Sequence, residues 1–373
     1  MKLKIALLPG DGIGPEVVAQ AVKTLQAVGD VYGHTFEFEE APVGAVAIDK
    51  TGDPLPETTL SLCEESDAVL FGAIGDPKYD NNPGAKVRPE QGLLRLRKAL
   101  GLFTNIRPIK AYPTLLDKSP LKKQIIEDTD MVIYRELTGG IYFGEKKVNK
   151  DGSSASDLCE YSEAEIERIA HLAFKAARSR RKKVTLVDKA NVLETSRLWR
   201  KVVTAVGKSY EDVTLEFLFV DNAAMQIILN PRQFDVILTE NMFGDILSDE
   251  GSVIGGSIGL LASASIGTEN ALFEPIHGSF PQAKGKDLAN PIAAILSAAM
   301  LLDHFNLTEE GNTVRRAVEK ALEQGVVPPD LDPESTFGTD RVGEYIAGYI
   351  LNTDEEQVNV NHENVNFGRS TII

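Results

Sequence analysis

The chain has 373 residues, 39 of them Lys or Arg and 55 Asp or Glu, for a formal net charge of −16. That negative surplus argues against nucleic acid or an anionic membrane as the main partner, since both require a basic field, and no apolar stretch approaches the ~18 residues of a membrane span. The length predicts about two domains with an ample core, and two distant cysteines, Cys63 and Cys159, in no metal or redox spacing predict a reducing, cytoplasmic location.

The first element expected is a strand over KIALLP, running through GDGIGPE into a helix over 15–32. Glycines at 10, 12 and 14 imitate the dinucleotide fingerprint G-x-G-x-x-G, but Pro15 holds the third glycine position and Gly14 falls one place early. The stretch is either an imperfect fingerprint, with Glu37, Glu39 or Glu40 as its acid, or a tight turn. In the second reading Pro15 opens the helix, where a missing N–H costs nothing. Further strands are expected in HTFEFEE, DAVLFGAI, TNIRPIKAY, DMVIYREL, VTLVDKAN, TLEFLFVD and FDVILTEN. Helices over 92–100, 163–180, 196–207 and 222–229 alternate with them, and this alternation predicts α/β architecture. Ser162 and Glu165 read as a capping box. GGIYFGEKKVNKDGSSASDLCEYS is out of pattern: it begins as a hairpin and turns polar, so a projecting arm and a disordered loop both fit. From Asn290 onward the pattern is mostly helical, and a polar tail beginning NTDEEQ is expected to be loosely held.

Several stretches carry residues suited to chemistry. In PEQGLLRLRK, helical spacing puts Glu90, Leu93, Leu94 and Arg97 on one face. The leucines alone read as core, but an arginine closing an apolar stripe needs a partner. Such a face would suit a carboxylate beside an alkyl group. Arg107 and Arg135 also end apolar strands, and three such arginines could converge as a carboxylate clamp through their bidentate forks. Asp245 and Asp249 in FGDILSDEGS lie at i and i+4, where like charges repel unless a cation sits between them. Asp221 follows the apolar LFV. Three carboxylates without His or Cys suit Mg²⁺ or Mn²⁺ rather than zinc, and a solvated acidic face is the alternative. Tyr142 in GGIYFGE and Lys189 in VDKANVL are candidate proton carriers. FEPIHGSFPQAKGKDLANP reads as a loop able to wrap an adenine–ribose unit.

Jointly, NIRP, RELTGGIYFGE, VDKANVL, FGDILSDEGS and FEPIHGS…KGK..ANP resemble the isocitrate/isopropylmalate dehydrogenase family of decarboxylating β-hydroxyacid dehydrogenases, over nearly the whole chain. The resemblance implies an α/β, isopropylmalate dehydrogenase-like fold and not a Rossmann fold. Two α/β domains would share a central sheet region: 1–102 plus 256–373 on the cofactor side, and 103–255 on the dimerisation and metal side, with a β-arm at about 139–160. It implies NAD-dependent oxidative decarboxylation of 3-isopropylmalate to 2-oxoisocaproate and CO₂, in leucine biosynthesis, by a homodimer with shared active sites. Glu90, Leu93 and Leu94 match the pocket for an isopropyl group, where isocitrate-type members carry small polar residues.

By the same resemblance Arg97, Arg107 and Arg135 bind the malate carboxylates, and Asp221, Asp245 and Asp249 hold Mg²⁺ or Mn²⁺. Lys189 takes part in deprotonating the hydroxyl, and Tyr142 assists protonation after CO₂ leaves. Lys189, Val192 and Asp221 would reach the site from the partner subunit. NAD would bind Asp76, Pro77, Lys78, Glu274, His277, Gly278, Ser279, Gln282, Ala283, Gly285 and Asn290. Gln282 stands where NAD-using members usually carry an acid, and NAD remains the expected coenzyme. The opening glycines then mark the family's first strand-to-helix turn, with Ile13 at the edge of the cofactor cleft. The alternatives are a family member acting on tartrate, D-malate, isocitrate or homoisocitrate, and, in a different class, a non-catalytic dicarboxylate-binding protein. The second would have lost a catalytic group, yet Tyr142, Lys189 and the three aspartates are all present.

Overall fold

The computed structural model describes residues 1–80 and 87–366. The chain begins β1 (Lys2–Gly10), α1 (Gly14–Tyr32), β2 (Thr35–Glu40), α2 (Ala45–Thr51), α3 (Glu57–Glu64), β3 (Ala68–Ala73), α4 (Pro77–Asp80) and α5 (Pro89–Ala99). It continues β4 (Thr104–Lys110), α6 (Lys123–Ile126), β5 (Asp130–Glu136), β6 (Lys146–Val148), β7 (Ala155–Asp157), α7 (Glu163–Arg178), β8 (Lys183–Asp188) and α8 (Glu194–Gly207). Next come β9 (Thr214–Phe219), α9 (Val220–Leu229), β10 (Val236–Thr239) and α10 (Asn241–Ser252). The last segment holds β11 (Ala262–Ile266), β12 (Ala271–Pro275), α11 (Ile292–His304), α12 (Thr308–Glu323) and α13 (Thr339–Asn366).

One sheet of ten strands runs β2-β1-β3-β12-β11-β4-β5-β10-β8-β9. Both ends are parallel, and the centre, from β12 through β11 and β4 to β5, is antiparallel. Helices cover both faces of each half, so the inner strands are continuously apolar: every residue of β3 and β10 is buried. On one half, α1, α11, α12 and α13 pack through Val17, Leu25, Ile295, Leu302, Val318 and Ile346. On the other, α7 and α8 bring Ile166, Phe174, Trp199 and Val203 onto β8 and β10. α11 is apolar almost all round because it is enclosed by the sheet and its helical neighbours.

Every strand expected from the sequence forms, and so does the Ser162–Glu165 capping box, with Glu165 N donating to Ser162 Oγ at 3.3 Å and Ser162 N to Glu165 Oε2 at 2.7 Å. β11 and β12 had no such signal. ASASI is small and polar, with little β-propensity of its own, and β12 includes the FEP that opened the expected loop. Their strand state is dictated by the neighbours they join. The out-of-pattern stretch contains an exposed two-stranded antiparallel hairpin, β6–β7. The backbone of the polar tail is helical to Asn366, and residues 367–373 lie outside the described ones.

Candidate active site

β4 and β5 are antiparallel neighbours with Asn105 opposite Arg135 and Arg107 opposite Ile133, so both arginines project from one face of the sheet. Both guanidiniums are buried. Burial, then the mutual repulsion with Arg135, pushes Arg107 down to about 10, and burial lowers Arg135 in the same way. Two adjacent buried cations need anions, and α10 supplies them. Glu240 caps that helix, accepting from Phe243 N at 2.9 Å, and Asp245 and Asp249 follow one turn apart. Asp245 accepts from Arg135 Nη1, from the Tyr142 hydroxyl at 2.6 Å, and lies 3.6 Å from Arg107 Nη2. Asp249 lies 3.4 Å from Arg107 Nη1 and keeps its carboxylate largely exposed. Gly244 makes this approach possible: a Cβ there would stand 2.7 Å from Cβ of Arg135.

The third arginine arrives from α5. Arg97 Nη2 donates to Glu274 Oε1 on β12 at 2.8 Å, and its charge also acts on Arg107 and Arg135. A cavity of about 170 Å³ is lined by Leu93, Arg97, Arg107, Ser263, Glu274 and His277 among others. Leu96 of α5 and Leu100 just beyond it are core; Leu93 is half-buried and packs against that same cluster, and Leu94 is exposed, so of the leucine pair only Leu93 meets the core. The carboxylate of Glu90, in the first turn of α5, lies beside Gly75, where a Cβ would be 3.1 Å from its Oε1.

Lys189 follows β8 and donates to Asp221 Oδ1, in the first turn of α9, at 2.6 Å; that contact holds the Asp221 carboxyl below its usual range. Val192 is exposed nearby in sequence. Among the described residues no three His, Cys, Asp or Glu side chains are gathered to hold a metal, so Asp221 does not join Asp245 and Asp249 in one ligand set. Asp245 and Asp249 nonetheless fit a hard divalent cation: they offer carboxylate oxygen without sulfur or imidazole, beside a cleft. Alone they are a partial ligand set.

The expected cofactor loop lies against the opening turn. Ile13 N donates to Ser279 O at 2.8 Å, and a Cβ on Gly12 would fall 1.9 Å from that oxygen, so the glycine serves loop-to-loop packing. Gly285 N donates to Glu16 Oε1 at 2.6 Å. His277 Nδ1 contacts Gly278 O, and its Nε2 is buried without a partner, an open polar group of the kind a nucleotide could satisfy. Ala283 is buried, Gln282 exposed. The Asn290 side chain is already committed, to Asp330 at 3.1 Å and to Ile292 N at 3.0 Å, leaving backbone groups for a ligand. Asp76 and Pro77 lead into α4, and Lys78 is paired with Asp49.

A larger cavity, about 960 Å³, lies on the other face of the sheet, against Ile106, Pro108, Val132 and Tyr134. Lys110, Arg180 and Arg315 at its edge are paired with Glu319, Asp130 and Asp303, so the free chemistry is in the smaller cleft. Sequence reasoning missed Asn105, Tyr161, Glu240 and Asn241. Asn105 accepts from Arg107 Nε at 2.7 Å, and Glu240–Asn241 sit at the N-terminus of α10. Only the capping pattern ahead of FGDILSDE could have flagged the last two.

Residues 4–346 match the family described as isocitrate/isopropylmalate dehydrogenase. The chain is similar to a 3-isopropylmalate dehydrogenase of Bacteroides fragilis, 54% identical over 352 residues, covering 94% of this chain and 99% of that one. Its identity to a 3-isopropylmalate dehydrogenase of Geobacillus kaustophilus is 56% over 335 residues, with coverage of 88% and 90%. Among solved structures it superposes on isocitrate dehydrogenase from Methylococcus capsulatus with a TM-score of 0.83 at 36% identity, covering 94% and 99%.

Proposed function

The chain belongs to the isocitrate/isopropylmalate dehydrogenase family, and from that premise we propose that it catalyses NAD-dependent oxidative decarboxylation of 3-isopropylmalate to 2-oxoisocaproate and CO₂, in leucine biosynthesis. The observation that carries the substrate is Leu93 lining the cavity that Arg97 and Arg107 also line, an alkyl wall beside two guanidiniums. Arg97, Arg107 and Arg135 bind and orient the malate carboxylates, displacing the carboxylate partners they hold at rest. Glu90 and Leu94, on the face that carries Leu93, complete the isopropyl pocket.

Asp221, Asp245 and Asp249 would hold a divalent cation, which would supply a Lewis acid, and bound NAD would supply the hydride acceptor. Lys189 takes part in deprotonating the C2 hydroxyl as hydride departs from C2. CO₂ then leaves the β-keto acid, and Tyr142 gives a proton to C3. Burial and its hydrogen bond to Asp245 raise the Tyr142 pKa, so the phenol is in its acid form at neutral pH, as that role requires. Asp76, Pro77 and Lys78, with Glu274, His277, Gly278, Ser279, Gln282, Ala283, Gly285 and Asn290, are the residues that would hold NAD.

The active enzyme is a homodimer in which Lys189, Val192 and Asp221 of one copy complete the cluster of the other. The partial ligand set at Asp245 and Asp249 supports this reading, as do the exposed apolar residues Met225 and Leu229 of α9, Ile246 of α10, and Val192 after β8. No helix among the described residues is long and apolar enough to cross a membrane. Cys63 and Cys159 are free, which suits a reducing cytoplasm.

A substrate-by-coenzyme matrix tests the reading. Steady-state kcat/KM should be highest for 3-isopropylmalate with NAD, abolished by chelator and restored by Mg²⁺ or Mn²⁺. Equal or faster turnover of D-malate, tartrate, isocitrate or homoisocitrate would overturn the substrate. Preference for NADP would overturn the coenzyme, for which the exposed Gln282 offers no repulsion.

A further inference from the structure

Asn241 does none of the chemistry above, yet both ends of its side-chain amide are engaged and the residue is 1% exposed. Its Oδ1 accepts from Arg135 Nε at 3.1 Å and from Nη2 at 2.8 Å, while its Nδ2 donates to Gly139 O at 3.2 Å. The bond to Gly139 sets the sense of the amide: with nitrogen committed there, oxygen must face the guanidinium. One edge of the fork is thereby held, and Nη1 is left facing Asp245. A neutral acceptor does this without cancelling the arginine's charge. Repulsion from Arg97 would otherwise favour displacement of Arg135 out of the cleft.

Asn241 is itself held by a phenol from the loop between β7 and α7. Tyr161 Oη accepts from Asn241 N at 3.0 Å and donates to Glu240 Oε2, also at 3.0 Å. Burial beside Glu240 and Glu136 raises the Tyr161 pKa, so the phenol remains a donor. Gly139 and Gly140 lie flat on its ring: a Cβ on Gly140 would stand 2.2 Å from Tyr161 Oη. These glycines lead to Tyr142. One buried phenol thus ties together the start of α10, the asparagine and the loop that presents the proton donor.

We propose that Asn241 is a positioning residue that sets the Arg135 guanidinium for the substrate carboxylate, with Tyr161 as the clamp that fixes Asn241. This rests on the reading of Arg135 as a carboxylate ligand. The test is a double-mutant cycle of Asn241→Ala and Arg135→Ala, with 3-isopropylmalate, NAD and Mn²⁺, together with a crystal structure of Asn241→Ala. Losing two hydrogen bonds to a charged group should lower kcat/KM for 3-isopropylmalate roughly tenfold to hundredfold. The loss should appear in the KM for that substrate, with the KM for NAD unchanged, and Asn241→Ala should cost nothing further once Arg135 is gone. Full activity of folded Asn241→Ala, or additive losses, would overturn the proposal. If Arg135→Ala retains wild-type kcat/KM, the carboxylate role of Arg135 fails on its own. The crystal structure then decides the placement: a displaced guanidinium supports it and an unmoved one overturns it. Should Asn241→Ala not fold, Tyr161→Phe, which keeps the ring packed on Trp199, should raise the same KM by a smaller factor; an unchanged KM overturns the clamp.

Discussion

Asp245 is pulled in two directions. Burial favours its neutral form, but Arg135, the Tyr142 hydroxyl and Arg107 together favour the carboxylate and hold its pKa below the ordinary 3.8. A depressed folded pKa stabilises the protein above the unfolded value, and that stabilisation is lost as pH falls through the lower folded value. Asp245→Asn should therefore be less stable than wild type at pH 7 by about 1–2 kcal/mol, the modest figure reflecting a side chain that is 35% exposed and screened by water. Chemical denaturation at a series of pH values should show the gap narrowing below 3.8, as the wild type loses the same charge. A gap independent of pH would mean that the lost contribution is packing rather than charge.

At the scale of elements, α10 has two employments. One face carries Asp245 and Asp249 to the arginines; another exposes Ile246, which joins the exposed Met225 and Leu229 of α9. These side chains do not belong to the core of a single copy, so Leu229→Asp should leave its circular dichroism intact. In the ultracentrifuge the variant should sediment as a monomer, with turnover lost because Lys189 and Asp221 no longer reach the other cluster. An active monomer would refute the shared site. The inner parallel strands were legible because burial on two faces writes continuous apolar runs such as AVLFGA and FDVILT. β11 and β12 were not, since neighbours rather than propensity decide their state. On α5 the periodicity found the helix, but the buried stripe is Leu96 and Leu100, and the sequence could not say which way the helix would face. Arg107, Arg135 and Asp221 stood out as charges at the ends of apolar strands, Arg97 as a charge closing an apolar helical stripe, and Asp245 with Asp249 by their i, i+4 spacing. Tyr161 did not, because its partners at 240 and 241 are near it only in the folded chain.

Across the whole molecule, the sheet is laid down out of chain order. β4 to β10 form one continuous stretch with its own core, and we propose residues 103–255 as the second domain on that ground. β3, which carries β1 and β2 on its other side, pairs with β12 from beyond that stretch, and α1 packs against α13, so closely that a Cβ on Gly343 would lie 2.2 Å from Gln20 Oε1. Closing so long a loop is slow, whereas the contiguous stretch needs only its own residues. In pulse-labelled hydrogen exchange during refolding, amides of β5, β8 and β10 should gain protection before those of β1 and β3; the reverse order would show that the contiguous stretch is not the unit that folds first. The same order has a meaning during synthesis. β1 already has β2 and β3 beside it, but the outer edge of β3 and the apolar face of α1 must wait until β12 and α13 have been translated. Surface left open for that long is the kind a chaperone shields during synthesis.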